Sequence, residues 1–104
     1  MHIVKETVLD VATFCADGSI EVRMQKRVVG DGVVVWQEPH RTVIDPFVSV
    51  DDQMAPVAQH LATMGFSGLT AEALDRLSRM ATIQRASPAV QERMAKLAES
   101  RSTD

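Results

Sequence analysis

The sequence predicts an α+β protein: an N-terminal three-stranded antiparallel β-meander followed by three short α-helices. Three observations carry that expectation. Up to Asp45-Pro46, β-branched residues alternate with polar ones; two Asp-Gly pairs, Asp17-Gly18 and Asp31-Gly32, punctuate that half; and beyond it Ala, Leu and Met recur at helical spacing behind capping residues. At 104 residues the chain suits one domain, with a meander over 1–46, a linker over 47–53, a helical part over 54–100 and a frayed tail over 101–104.

The first hairpin is expected to turn at Ala16-Asp17-Gly18-Ser19, because a two-residue type I′ loop needs positive φ at both central positions and Asp-Gly supplies it at low cost. Counting outward from that turn sets Ile20 opposite Cys15, Val22 opposite Thr13, Met24 opposite Val11 and Lys26 opposite Leu9 on a mostly apolar face. Glu21, Arg23, Gln25 and Arg27 then line the other face, opposite Phe14, Ala12, Asp10 and Val8. Gly30-Asp31-Gly32 forms a second turn with two admissible registers. A two-residue loop sets Trp36 opposite Arg27 and His40 opposite Arg23 on the polar face. A three-residue loop with Gly32 left-handed turns Val34 and Trp36 to the core, and it is the expected one because Trp36 offers roughly 150–250 Å² of surface to bury.

Pro39 cannot donate a ladder hydrogen bond and marks an edge or a bulge in the third strand. Pro46 biases Asp45 towards extended backbone and ends that strand. In the second half, Asp51 or Asp52 can cap a helix with apolar Val57, Leu61 and Met64, Pro56 in its first turn and Gly65-Phe66 as its left-handed stop. Thr70 caps the next helix, with Leu69 and Leu74 as a hydrophobic staple and Leu74, Leu77, Met80 and Ala81 as its buried stripe. Ser87-Pro88 starts the last, whose apolar face is Val90, Met94 and Leu97.

Composition narrows the function classes. The chain is 45% apolar and 24% charged with a net charge of −3, in the range of soluble globular proteins; it has six Met and no Tyr. Residues 1–50 hold five basic and seven acidic groups and residues 51–104 six and seven, so neither half is a basic footprint for nucleic acid or anionic lipid. No apolar run approaches the roughly 20 residues that span a bilayer, and the start lacks the order of a signal peptide; folding in the cytoplasm is expected. The single Cys15 excludes an internal disulfide and multi-Cys zinc patterns, and on the apolar face it reads as a core residue.

No spacing amounts to a catalytic or cofactor signature. His2, His40 and His60 are scattered over strand one, strand three and the first helix without the one-turn spacing that fixes metal ligands locally, so no metal is expected. The serines lack a nucleophile elbow, and Gly30, Gly32, Gly65 and Gly68 make no phosphate loop; no catalytic residue, cofactor or small-molecule substrate is assigned. Arg76, Arg79, Arg85, Arg93 and Lys96 could touch phosphates, which makes a nucleic-acid-binding or regulatory protein the alternative reading, but Glu72, Asp75, Glu92 and Glu99 interleave with them as on an ordinary solvated helix face.

What remains is assembly through protein contacts. Strands of 10–12 residues reach about 35–40 Å, long for three short helices to cover. Val4, Val8 and Phe14, expected opposite Leu9 and Val11, would offer a second face to a partner or another copy. The expected interaction residues are Trp36, His40, Arg41, Arg23, Arg27 and Phe14, with His40 and Arg41 on opposite faces. A third reading is an adaptor that holds a peptide or helix in the groove between sheet and helices.

Over Glu21 to Pro46, EVRMQKRVVGDGVVVWQEPHRTVIDP, the sequence resembles small proteins encoded in the virion-structure gene clusters of tailed bacteriophages. The resemblance lies in a Val-Arg strand, an Asp-Gly turn and a strand ending in His40, Arg41, Val43, Ile44 and Pro46. It departs where those proteins continue with an acidic stretch, since this chain has Asp45-Pro46-Phe47 and only later Asp51-Asp52. The resemblance implies a non-enzymatic structural or assembly role in a phage tail or capsid, with a homo-oligomer or other virion proteins as partners and incorporation in the virion.

Overall fold

A computed structural model describes residues 2–102, with side chains through Glu99. The element order is β1 (Ile3–Phe14), β2 (Ile20–Gly30), β3 (Val33–Ile44), α1 (Val50–Thr63), α2 (Ala71–Ala86) and α3 (Pro88–Ser102). The strands form one antiparallel sheet in the order β1-β2-β3, followed by the three helices, so the fold is α+β with a meander as expected.

Both turns differ from their expected lengths. At the β1–β2 connection only Gly18 has positive φ, at 94°. Asp17 Oδ1 accepts hydrogen bonds from the Ser19 N–H at 2.9 Å and from the Ser19 hydroxyl at 2.6 Å. The Gly18 N–H donates to the Cys15 carbonyl and the Cys15 N–H to the Ser19 carbonyl, each at 3.0 Å. That side-chain clasp makes a three-residue loop, and Ile20 pairs with Phe14 instead of Cys15. Cys15 therefore sits half-buried in the turn, not on the core face.

At the β2–β3 connection both Asp31 (φ 50°) and Gly32 (φ 82°) are left-handed and Gly30 pairs with Val33, the two-residue loop that was not expected. The backbone of His2 explains it: its N–H donates to Asp31 Oδ1 at 2.8 Å while its carbonyl accepts from the Asp31 N–H at 2.9 Å.

Two bulges then reset the faces. One falls between Leu9 and Val11, so that Met24 pairs with Leu9 but Arg23 with Val11 and Val22 with Ala12. An extra residue at this point moves everything beyond it to the other side of the sheet. The three-residue loop already sets Phe14 beside Ile20 and Val11 beside Arg23, the faces opposite to those expected, and the bulge keeps Leu9 on the helix side, where Phe14 now joins it. The second bulge falls between Val28 and Val29, leaving Val35 as the extra residue; Val28 pairs with Trp36 and Met24 with His40. It restores Trp36 to the helix side, the orientation expected of it, by a different route.

The core lies between that side and the helices. Ile20, Val22, Met24 and Ile44 from the sheet meet Val50 and Met54 of α1 and Leu77 and Ala81 of α2. Burying each of these larger side chains contributes roughly 1.5–3 kcal/mol. The α1 cap is Ser49, whose hydroxyl accepts from the Asp52 N–H at 3.4 Å, rather than Asp51 or Asp52. Helix α1 accordingly starts inside the expected linker, and Pro56 lies within it, past the first turn. Its end is as expected: Gly65 has φ 83° and the Phe66 N–H returns to the Leu61 carbonyl. Thr70 caps α2, accepting from the Ala73 N–H at 3.2 Å. Helix α3 starts at Pro88, buries Val90 and leaves Leu97 exposed. It continues through Ser102, beyond the expected fraying point; residues 103–104 lie outside the described residues.

The molecule measures 60 × 24 × 20 Å with a radius of gyration of 16.6 Å. A compact chain of this length has about 13 Å. Among the described residues no helix is long and apolar enough to cross a membrane.

Candidate functional site

The meander carries helices on one side and leaves its other, outer side uncovered. Three of the expected interaction residues gather there. Arg27 of β2 donates to Glu6 of β1 at 2.5 Å, and Arg23 Nε donates to Asp10 Oδ2 at 2.9 Å. Gln25 donates to that same oxygen at 3.1 Å. The Gln25 hydrogen bond, assisted by Arg23, holds the Asp10 carboxyl below its ordinary pKa. Arg41 of β3 lies directly opposite Arg23 and has no hydrogen bond or ion pair among the described residues. With Val11, Thr13, Glu21 and Val43 it lines a shallow depression of about 400 Å³. Val11 and Val43 are both exposed, so guanidinium charge and apolar surface alternate along this face.

The other three expected residues face the helices. Trp36 lies against Phe66 with ring centroids 5.9 Å apart, yet 43% of it stays exposed. Lys5 helps place Phe66 there: its ammonium donates to the Met64 carbonyl at 3.2 Å, at the C-terminal end of α1, and sits 5.1 Å from the Phe66 ring centre. Phe14 ends up beside Ile20 at the far end, 46% exposed. His40 meets His60 of α1 with centroids 5.9 Å apart. Its pKa is lowered, first because packing desolvates the ring, then by the charges of Lys26 and His60, with Glu38 opposing. The structure thus separates His40 from Arg41, as their adjacency in one strand requires.

Sequence reasoning missed two features. Lys26 is buried on the helix side, its ammonium 3.4 Å from Glu38 Oε1, and beside it the buried Thr7 hydroxyl has no partner. The second feature is the tip of the meander, where Ile3, Val4, Val33, Val34, Val35 and Trp36 are all exposed. Three consecutive valines are the available signal, since a strand apolar on both faces is a strand with both faces to bury.

On the helices three of the five cations singled out from the sequence are committed, while Arg76 and Arg93 have no hydrogen bond or ion pair among the described residues. Arg79 pairs with Asp75 and Lys96 with Glu92 across one turn. Arg85 donates Nε and Nη2 to the Pro46 carbonyl at 2.9 and 2.5 Å, fixing the sheet-to-helix connection to α2. Between α1 and α2 an apolar crevice of about 240 Å³ is lined by Met24, Met54, Leu61, Leu69 and Leu74. Among the described residues no group of three or more His, Cys, Asp or Glu is placed to hold a metal ion. Comparison with protein families, with curated proteins and with solved structures finds no match.

Proposed function

We propose that this chain is a non-enzymatic assembly protein that docks the outer face of its meander on other protein subunits, and that its setting is a tailed-phage particle. The observation that carries the reading is the one-sided covering of a long three-stranded sheet. Its open side presents Val11, Val43 and the unpartnered Arg41 around a shallow depression, a mixture of apolar area and fixed cation that suits a protein surface with a carboxylate. The phage setting is supported by the resemblance of Glu21 to Pro46 to virion-cluster proteins. The helix cations favour a protein partner over nucleic acid, because Arg79, Lys96 and Arg85 already hold carboxylates or a carbonyl.

The test is incorporation. Mass spectrometry of purified particles from cells expressing the chain detects it at a reproducible copy number, and Arg41→Glu lowers that number at least fivefold with unchanged thermal unfolding. A chain absent from particles, or incorporation indifferent to Arg41→Glu, removes the proposal.

A further inference from the structure

We propose that the tip of the meander is a self-association edge: β3 over Val33–Gln37 pairs antiparallel with the same segment of a second copy, giving one six-stranded sheet across a two-fold axis. The proposal rests on the assembly reading above and names one partner for it, at a different part of the sheet.

The two outer edges of the sheet are not alike. The edge of β1 is touched by the α1–α2 connection, where the Ser67 N–H donates to the Lys5 carbonyl at 3.4 Å. The outer edge of β3 receives no backbone hydrogen bond from another element among the described residues. A free row of backbone donors and acceptors is satisfied fully only by another extended strand. The side chains at the tip point to the same kind of partner. Val33 and Val35 are 64% and 63% exposed on the edge strand itself; Val35 is the bulge residue, so of the devices that ordinarily protect an edge this stretch carries the bulge but neither charge nor proline.

Why a second copy, and why only this half of β3? From Val33 to Gln37 the strand carries no charge, so two copies approach without like-charge repulsion. Further along, Pro39 lacks an N–H, and beyond it Arg41 is paired opposite Arg23, so pairing there would lose a donor and crowd cations. A two-fold contact also satisfies both unpaired edges in a single event, with the same patch on each side. Val33, Val34, Val35 and Trp36 flank the new ladder, whereas Ile3 and Val4 lie two strands away on β1, so the contact is smaller than a standard interface of about 1,200–2,000 Å² and the dimer is reversible and concentration-dependent.

Sedimentation of the full chain from about 1 to 500 µM tests this, together with fluorescence of Trp36, the only tryptophan. The expected result is a monomer–dimer equilibrium with a blue shift of Trp36 emission on dimerisation, and amide exchange that slows with concentration at Val34–Gln37. The double variant Val33→Lys/Val35→Lys weakens association at least tenfold without altering far-ultraviolet circular dichroism. Ile83→Lys, comparably exposed but on α2, leaves it within twofold. A monomer throughout, association of undiminished strength in the lysine variant, open-ended aggregates, or protection confined to β1 would each overturn the inference. A monomer that still enters particles refutes only the dimer, and a dimer absent from particles refutes only the assembly reading.

Discussion

Lys26 is the residue whose environment differs most from what its type suggests. It is 7% exposed, lies beside Thr7 and Met24, and its ammonium has one carboxylate, Glu38, which is itself more than half exposed. Removing the carboxylate strands a buried charge, whereas replacing the lysine with an apolar side chain of similar length removes the need for a partner. Glu38→Ala is therefore expected to destabilise the fold by about 1–3 kcal/mol, while Lys26→Met costs less than about 1 kcal/mol or stabilises, as read from urea midpoints. Equal losses in the two variants would contradict this account. His40 shares the pocket, and its lowered pKa fixes a sign. The folded state disfavours the imidazolium, so stability is complete above the unfolded value of about 6.5 and is lost as pH falls through the lower folded value. The urea midpoint of the native chain should thus drop from pH 7.5 to pH 5, and His40→Gln should flatten that slope. Asp10 and Asp17, whose pKa values are also lowered by hydrogen bonds, act in the same direction but only below the ordinary carboxylate range, so the two effects separate on the pH axis.

Among the elements, the β1–β2 turn does more than reverse the chain. Gly18 is left-handed, and a Cβ there would lie 2.9 Å from Cγ1 of Val90, the buried residue of α3. From α2, the buried Gln84 amide donates to the carbonyls of Cys15 and Ser19 at 3.4 and 3.2 Å. One turn thus anchors two helices. Gly18→Ala combines left-handed strain with displacement of Val90 and is expected to cost about 1–3 kcal/mol, with faster amide exchange in α3 than in α1. Gly32→Ala has the same backbone strain but open space around it, so it should cost the smaller amount and leave α3 unaffected. Equal effects would mean that the Val90 contact carries nothing. Helix starts and stops were legible element by element: Thr70, Pro88 and Gly65-Phe66 act through their immediate neighbours, and the sequence shows those neighbours. Ser49 was not, because the choice between it and Asp51 depends on where Gln53 clamps the preceding connection. Its amide donates to the Asp45 and Val48 carbonyls and its carbonyl accepts from the Asp45 N–H.

At the scale of the whole molecule, the α+β class, the strand order and the helix count follow from periodicity and from punctuation by Gly, Pro and Asp, all of which act over a few residues. The alternation of β2, with Ile20, Val22, Met24 and Lys26 on one side and Glu21, Arg23, Gln25 and Arg27 on the other, was likewise determined by the sequence, since a strand alternates whatever it pairs with. What β1 and β3 set against those residues was decided only by tertiary structure. The bulges near Asp10 and at Val35 each insert one residue into a ladder, and a single insertion exchanges inside for outside over the rest of a strand. Phe14 moved to the helix side because the three-residue loop shifts its pairing to Ile20, and the bulge near Asp10 then returns Leu9 to its expected side; Trp36 reached its expected side because the shorter loop and the bulge compensate. Arg41 and Arg23 became neighbours, and Lys26 became buried, through the same long-range register and the seating of α1 over the sheet. Local chemistry could name the residues that line each strand; only the packed sheet could decide which of them would meet.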